Sequence, residues 1–338
     1  MEVTVEYAAP SDDAGIRALM RREAMPGRIR LAFAREPQFA RGCAVTGDDY
    51  TIVVARAAGE IVGVACRSVR NVFLNGRETR IGYLGQLRLD ERYRGRWLVA
   101  RGFELLGQIH RRDPLPCYLA SIVDGNAEAD AVLVRRRKFR EVAQYRTLAM
   151  PLTRRFATRG KDIVAGSFDQ VPEIVRFLRT EGSRRQFFPV WTEAQLTQLD
   201  GLRVEDIRVA RRDGRIAGVM ALWDQTAYKQ SIVRGYSGWM RLARPFLPRA
   251  GKEIRSAYAA LICVSAPDVF TDLLRQIATL ARERKFDYLL AGLDARDPHL
   301  PAARRFRHYA YPSKLYVTDG GLHEQLDQRP AYVDIATL

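Results

Sequence analysis

Arg92, Arg94 and Arg96 alternate with Tyr93, Gly95 and Trp97 in a six-residue loop. The loop lies between an apolar strand-like run, Ile81 to Leu89, and an amphipathic helix that starts near Trp97. A guanidinium fork grips phosphate oxygens in two places. A glycine lets the backbone approach an anion closely, and the first turn of a helix offers N–H donors that have no partner of their own. Cations, glycine and helix start in this order suit a pyrophosphate. A second basic run, Arg135-Arg136-Arg137-Lys138-Phe139-Arg140, falls at the end of a predicted helix, where positive charge complements the helix dipole. It lacks the interleaved aromatic platform on which single-stranded nucleic acid stacks, so no nucleic-acid partner is expected.

The bulk composition agrees with an anionic ligand. Lysine and arginine outnumber acidic residues by 55 to 39, a net charge of +16 over 338 residues. Such a balance favours anionic partners, among them a phosphorylated small molecule. No apolar run reaches the roughly 18 residues of a membrane span, and the start, Met1 to Tyr7, lacks the basic and apolar regions of a secretion signal. Cys43, Cys66, Cys117 and Cys263 are far apart and the 4 histidines are scattered, so neither a metal site nor a disulfide framework is expected. The expectation is a cytoplasmic protein that does not engage a membrane.

The chain also repeats itself. Thr51 to Ala65 lines up without gaps on Asp206 to Met220, with Ile52/Ile207, Val54/Val209, Ala55/Ala210, Arg56/Arg211, Gly59/Gly214, Ile61/Ile216, Gly63/Gly218 and Val64/Val219 identical. Each copy reads as strand, glycine turn, strand. Upstream of each lies a polar lead into a helix, one carrying Ile16, Leu19 and Met20, the other Ile174, Val175, Phe177 and Leu178. The reading is one fold written twice: a first domain over 1–153, a linker over 154–162, and a second domain over 163–338.

Periodicity places the elements around the loop. In the first copy a strand (about 3–8) and a helix (12–22) lead into a loop or helical segment reaching about 48. The hairpin strands follow, and Asn75-Gly76 is a two-residue turn signal that delivers the chain into the strand ending at Leu89. The next helix presents Leu98, Gly102, Leu105, Leu106 and Ile109 on one face. Beyond it come a strand (Cys117–Val123), a helix (about 126–137) and a strand pair ending near Met150. The second copy continues with a strand (about 256–264), a helix begun by Pro267-Asp268, a strand Tyr288–Leu293, a short helix near 301–309, and closing strands at 314–318 and 331–336.

Strand, Arg-x-x-Gly-x, helix resembles the acyl-CoA signature of the GNAT superfamily of N-acetyltransferases, Gln/Arg-x-x-Gly-x-Gly/Ala. Arg92 and Gly95 match, and Trp97 stands where that family carries Gly or Ala. The order of elements over 1–150 resembles the GNAT order too, so the implied fold class is α/β with a mixed sheet, two GNAT-like folds in tandem. The resemblance implies acetyl-CoA, or another acyl-CoA, as co-substrate and transfer to an amine. It implies that Leu87 and Leu89 pair with the pantetheine arm through their backbones, that Arg92, Tyr93, Arg94, Gly95, Arg96 and Trp97 hold the phosphates, and that Asn126 touches the arm.

Two parts of that machinery are missing from the sequence. Where relatives place a tyrosine as general acid, this chain has Leu133 and Val134, which leaves Tyr145 and Tyr118 as candidates. Where many carry a carboxylate base it has Gln86, which cannot titrate, with Glu78, Glu91 and Asp124 the nearest acids in sequence. Gln86 remains a candidate for the acceptor side. In the second copy Ser265-Ala266-Pro267-Asp268 replaces the phosphate loop, so that half is expected to bind no CoA. Its polar and aromatic stretch, Trp223 to Tyr236, offers Asp224, Lys229, Arg234 and Tyr236 to an acceptor site, or else packs against the other half. The acceptor is expected to be a small-molecule or peptide amine, and a monomer suffices if the duplicated chain satisfies itself. Two other readings fit: a CoA-binding regulatory module without turnover, and a Fem-type transferase using aminoacyl-tRNA, which resembles this chain in its duplication but generally lacks the phosphate loop.

Overall fold

The computed structural model describes residues 3–25, 29–94, 96–126, 129, 131, 139–156, 162–241, 249–318 and 326–338. The first half contributes strands β1 (Val3–Tyr7), β2 (Ile29–Ala34), β3 (Asp49–Ala57), β4 (Glu60–Leu74), β5 (Arg77–Leu89), β6 (Tyr118–Val123) and β7 (Arg140–Pro151). The second contributes β8 (Ile163–Ala165), β9 (Phe188–Pro189), β10 (Leu202–Arg212), β11 (Arg215–Trp223), β12 (Gln230–Tyr236), β13 (Glu253–Ile254), β14 (Ser256–Val264), β15 (Tyr288–Asp294) and β16 (Tyr309–Val317). Helices α1 (Asp13–Arg22), α2 (Phe39–Thr46), α3 (Arg96–Arg112), α4 (Val171–Gly182), α5 (Glu193–Gln198), α6 (Pro267–Glu283) and α7 (Leu300–Ala303) lie between them.

Three turns set the registers. Ala58-Gly59, Asp213-Gly214 and Asn75-Gly76 each place two successive residues at positive φ, between 48° and 83°. This is the type I′ geometry whose twist matches a two-residue hairpin. In the two repeated hairpins the ladder slips at the same place, between Ala55 and Arg56 and between Ala210 and Arg211.

From these hairpins grows one 13-stranded sheet in the order β1-β3-β4-β5-β6-β16-β7-β15-β14-β11-β10-β8, with β9 paired to β4. Among the described strand pairs of this sheet, β5–β6 and β14–β15 are the parallel ones. The order reads alike from either end: a short edge strand, a hairpin, a bulged strand, a parallel partner. In the middle the halves interleave, because β16 lies between β6 and β7, and β7 pairs with β15. Helix α6 lays Leu273, Leu274 and Ile277, all fully buried, against β11 and β14. Each such side chain contributes about 1.5–3 kcal/mol of burial.

Four segments differ from the sequence reading: the strand pair expected before Met150 is the single strand β7, the helix expected near 301–309 is the short α7 with β16 already begun at Tyr309, and two more concern pairing. The stretch before residue 48 is not loop and helix alone: β2 pairs antiparallel with β12 of the second half, which with β13 makes a separate 3-stranded sheet. The Trp223–Tyr236 stretch therefore packs against the other half through a strand. Residues 331–336 form no strand; Ala331 makes an isolated bridge to Gln186, and the chain then runs buried into a short turn at Ile335–Thr337.

Candidate functional site

β5 and β6 are joined only over Gly82–Leu84 and Tyr118–Ala120. Beyond Leu84 they separate, because β5 carries a bulge. Its ladder with β4 slips between Val64/Arg88 and Cys66/Gly85, and Gln86 sits at φ 58° inside the slip. A bulge bends the strand and reverses which residues face which side. The Asp90 amide donates to Val62 O at 2.9 Å, so by alternation the peptide groups of Leu89 and Leu87 face away from β4, onto the open edge.

The gap holds a cleft of ≈ 260 Å³. On one side of the sheet Leu84, Leu87 and Leu89 face Leu98, Gly102, Phe103 and Leu106 of α3, with Asn126 at the far wall. On the other side it reaches Cys66, Tyr83, Gln86, Arg88 and Met25. A Cβ built on Gly102 would meet nothing within 4 Å, so the glycine of this helix face leaves room for a ligand. Leu87 is 43% exposed in the cleft mouth.

The loop after β5 is built on Asp90. Its buried carboxylate accepts from the Arg92 amide (3.0 Å), from Arg92 Nε (3.0 Å) and Nη2 (2.8 Å), and from Arg22 Nη2 (2.7 Å). Chiefly through the Arg92 side chain, these bonds hold its pKa down at about 2. Arg94 reaches back to Glu23 at 3.0 Å. The Tyr93 and Arg94 amides close the turn onto Asp90 O and Glu91 O, so these two donors are taken. Trp97 points outward, 47% exposed beneath the Arg101 guanidinium. Gly95, the Arg96 side chain, Leu133, Val134 and most of the Arg135–Arg140 run lie outside the described residues, although the backbone of Arg96 opens α3.

The other predicted residues divide between cleft and elsewhere. Asn126 lines the cleft and its Oδ1 accepts from the Ala129 amide at 3.2 Å, an i to i+3 bond of the kind a capping side chain makes. Gln86 lines the inner side. Tyr118 fills the space over Gly82 and bonds His110 Nδ1 (3.2 Å) and Arg67 Nε (3.4 Å), turned away from Gln86. Tyr145 is buried on β7, where its hydroxyl donates to Val333 O at 2.9 Å and accepts from Val333 N at 2.7 Å; burial pushes its pKa well up. Asp124 is exposed and caps the Gly125 amide. Glu78 pairs with Arg179. Asp224 binds Thr226 at a turn, Tyr236 ends β12 opposite Ile29, and neither lines the cleft. Among the described residues the cleft lining holds no Asp, Glu or His.

Two residues escaped sequence reading. Arg35 is 4% exposed and donates to Ala34 O (3.1 Å) and Gln86 Oε1 (2.9 Å). Arg88 donates to Leu87 O (2.7 Å) and Met25 Sδ (2.8 Å), and its buried Nε has no partner. Arg88 stands between two leucines, Leu87 and Leu89, as an outward residue would; the bulge reverses that parity and sends it inward. Arg35 had no local signal.

The matching opening in the second half is filled. β14 carries its own slip, with Leu261 at φ 52° in the place Gln86 takes in β5. There the final segment enters: Asp334 Oδ2 accepts from Leu261 N (2.8 Å) and Tyr332 OH from Ile262 N (2.9 Å).

No family model matches the sequence, and no curated protein matches it. Solved structures share the fold at low identity. N-myristoyltransferase of Saccharomyces cerevisiae with bound myristoyl-CoA matches 93% of this chain and 79% of its own, at 10% identity and a TM-score of 0.66. A GCN5-related N-acetyltransferase from Sphaerobacter thermophilus matches 99% of this chain and 98% of its own, at 15% identity and a TM-score of 0.58. A glucosamine N-acetyltransferase region of a fungal multi-domain β-N-acetylglucosaminidase matches 94% of this chain and 38% of that one, at 15% identity and a TM-score of 0.63. The chain thus has the mixed α/β fold seen in GNAT-type N-acetyltransferases and N-myristoyltransferase.

Proposed function

We propose that this chain is an acyl-CoA-dependent N-acyltransferase whose co-substrate enters the cleft between β5 and β6. The observation that carries the reading is the unpaired edge of β5 past Gln86, bordered by a cleft that leads to the start of α3. The Leu89 peptide groups and the Leu87 amide face the open edge, where an amide-bearing arm can pair as a neighbouring strand would; the Leu87 carbonyl already accepts from Arg88 at 2.7 Å. Asn126 adds a side-chain contact from the opposite wall. The first turn of α3 offers backbone donors and Arg92 and Arg94 add positive charge for the phosphates, while the Arg92, Tyr93 and Arg94 amides are used within the loop itself. Acyl-CoA supplies an activated acyl group as a thioester. The chain's contribution is to hold acyl carbonyl and amine together at the Gln86 bulge and to aim backbone N–H groups at the carbonyl oxygen. Acetyl is the simplest acyl group for this cleft.

The order of strands, which reads alike from both ends, and the two bulges at Gln86 and Leu261 support a duplicated fold. On that reading the domains meet at 154–162 and exchange β7 and β16. The filled opening at Leu261 supports a single co-substrate site, with the second half structural. Calorimetry with CoA and acetyl-CoA, followed by a thiol-release assay over a panel of amines, tests the reading. Binding with turnover is expected. Tight CoA binding with no thiol released for any amine would favour a regulatory binding module, and tRNA binding without CoA binding would favour the Fem-type alternative.

A further inference from the structure

Two cations, Arg88 in the cleft lining and Arg35 behind Gln86, gather at the inner end of the cleft. Among the described residues neither Arg35 nor Arg88 has a carboxylate within ion-pair distance, although both are largely enclosed. Arg35 is satisfied only by two neutral carbonyl oxygens, and Arg88 by a carbonyl and a thioether. Lys229 lies behind Arg35, buried, with Nζ on Leu338 O at 3.0 Å and over the Tyr258 ring at 4.8 Å. Burial depresses all three cations, and Arg35 depresses Arg88 and Lys229 further by repulsion, against smaller opposing pulls from Glu23 on Arg88 and Asp334 on Lys229. Like charges collected in a dry site destabilise the fold, and such clusters persist where a ligand brings the missing charge.

A surface hollow next in sequence to Met25 is lined by Arg21, Arg22, Arg30 and Arg234, of which Arg21 pairs with Glu36 and Arg22 with Asp90. Gln86 joins the two regions: its backbone stands at the separation of β5 and β6, while its side chain accepts from Arg35. A molecule whose amine meets the acyl group at Gln86 therefore has its next few atoms beside Arg88, which lines the cleft, with Arg35 directly behind the Gln86 side chain.

We propose that Arg35 and Arg88, with Lys229 behind them, bind an anionic group on the acceptor, so that the acceptor is a small amine carrying a carboxylate or phosphate close to its nitrogen. This rests on the transferase reading for the word acceptor, but the anion site stands or falls separately. The full chain is tested by calorimetry with matched pairs: alanine and serine against alaninamide and serinamide, and phosphoethanolamine against ethanolamine. At least one charged member is expected to bind ten-fold or more tighter than its neutral partner. The amino acid arm and the phosphoethanolamine arm distinguish carboxylate from phosphate. In Arg88→Gln the preference is expected to disappear. This variant removes no native ion pair, and the wild-type pairs decide the matter even if it fails to fold. Equal binding of charged and neutral members in every wild-type pair overturns the proposal, as does a preference that survives both Arg88→Gln and Arg35→Gln. Charged amines that bind while acetyl-CoA does not would leave the anion site standing and sink the transferase.

Discussion

The carboxylate of Asp334 accepts a hydrogen bond from the Leu261 amide at 2.8 Å, at the one residue of β14 held at positive φ. Its other oxygen accepts from Ala336 N at 3.2 Å. Both oxygens thus face N–H donors in a buried site. An amide in their place must turn its own N–H₂ toward one of those donors. Asp334→Asn is expected to cost about 1–3 kcal/mol of stability, the price of one buried donor left unpaired. Denaturant unfolding measures it, and CoA binding in the first cleft should be unchanged.

Asp90 predicts an acid-sensitive loop. Its carboxylate has an ordinary pKa of 3.8 and sits at about 2 in the fold. A depressed acid contributes stability that is full above the ordinary value and is lost as pH falls through the folded one. The contribution is at most about 2 kcal/mol, and less in practice because the partners Arg92 and Arg22 are more than half exposed. Between pH 4 and pH 2 the wild type should lose this increment while Asp90→Asn, weaker at neutral pH, should not. Parallel slopes of stability against pH for the two proteins would contradict it.

The cleft was legible in part, and the reason lies in the turns and the bulge. Asn75-Gly76 and the two repeated glycine turns are local signals, and the structure has positive φ at all three. Leu87, Leu89 and Asn126 come from the resemblance to the GNAT signature rather than from a local signal, and all three border the cleft. The bulge at Gln86 has no such signature, because a glutamine at φ 58° looks like any glutamine in sequence. Once it reverses the strand's parity, Arg88 goes inward and an arginine between leucines stops meaning exposure. Long-range pairing was equally hidden. Nothing near Ile29–Ala34 announces β12 as its partner, and the 331–336 run looks like a strand because it is buried, while it runs into the opening between β14 and β15 as a plug.

Gly102 separates room for a ligand from stability of the helix. Replacing it with alanine adds a Cβ into open space and removes the glycine penalty, so Gly102→Ala should gain up to about 1 kcal/mol. Gly102→Phe should also fold, but the ring occupies the cleft against Leu84 and should abolish CoA binding by calorimetry. Wild-type affinity in a folded Gly102→Phe protein would place the co-substrate elsewhere.

The absence of Asp, Glu and His from the described cleft lining predicts the pH profile. Attack on the acyl carbonyl needs a neutral amine. With no protein base in contact, kcat/KM should rise with pH until the acceptor amine itself deprotonates. Two acceptors of different amine pKa should therefore give rate limbs displaced by that difference. A limb fixed near pH 5–7 for both would reveal a protein base.

Gln86→Glu tests the charge balance from within the protein. The substitution is nearly isosteric and keeps the same backbone strain, and it puts a carboxylate where Arg35 now finds an amide oxygen at 2.9 Å. An ion pair formed there relieves the repulsion among Arg35, Arg88 and Lys229, so the unliganded variant should melt higher than wild type. The same carboxylate occupies the charge that an anionic amine needs, so the preference for charged over neutral amines should fall at least ten-fold while acetyl-CoA affinity changes little. A variant that melts lower and keeps its preference would mean that these cations are already satisfied in the unliganded chain.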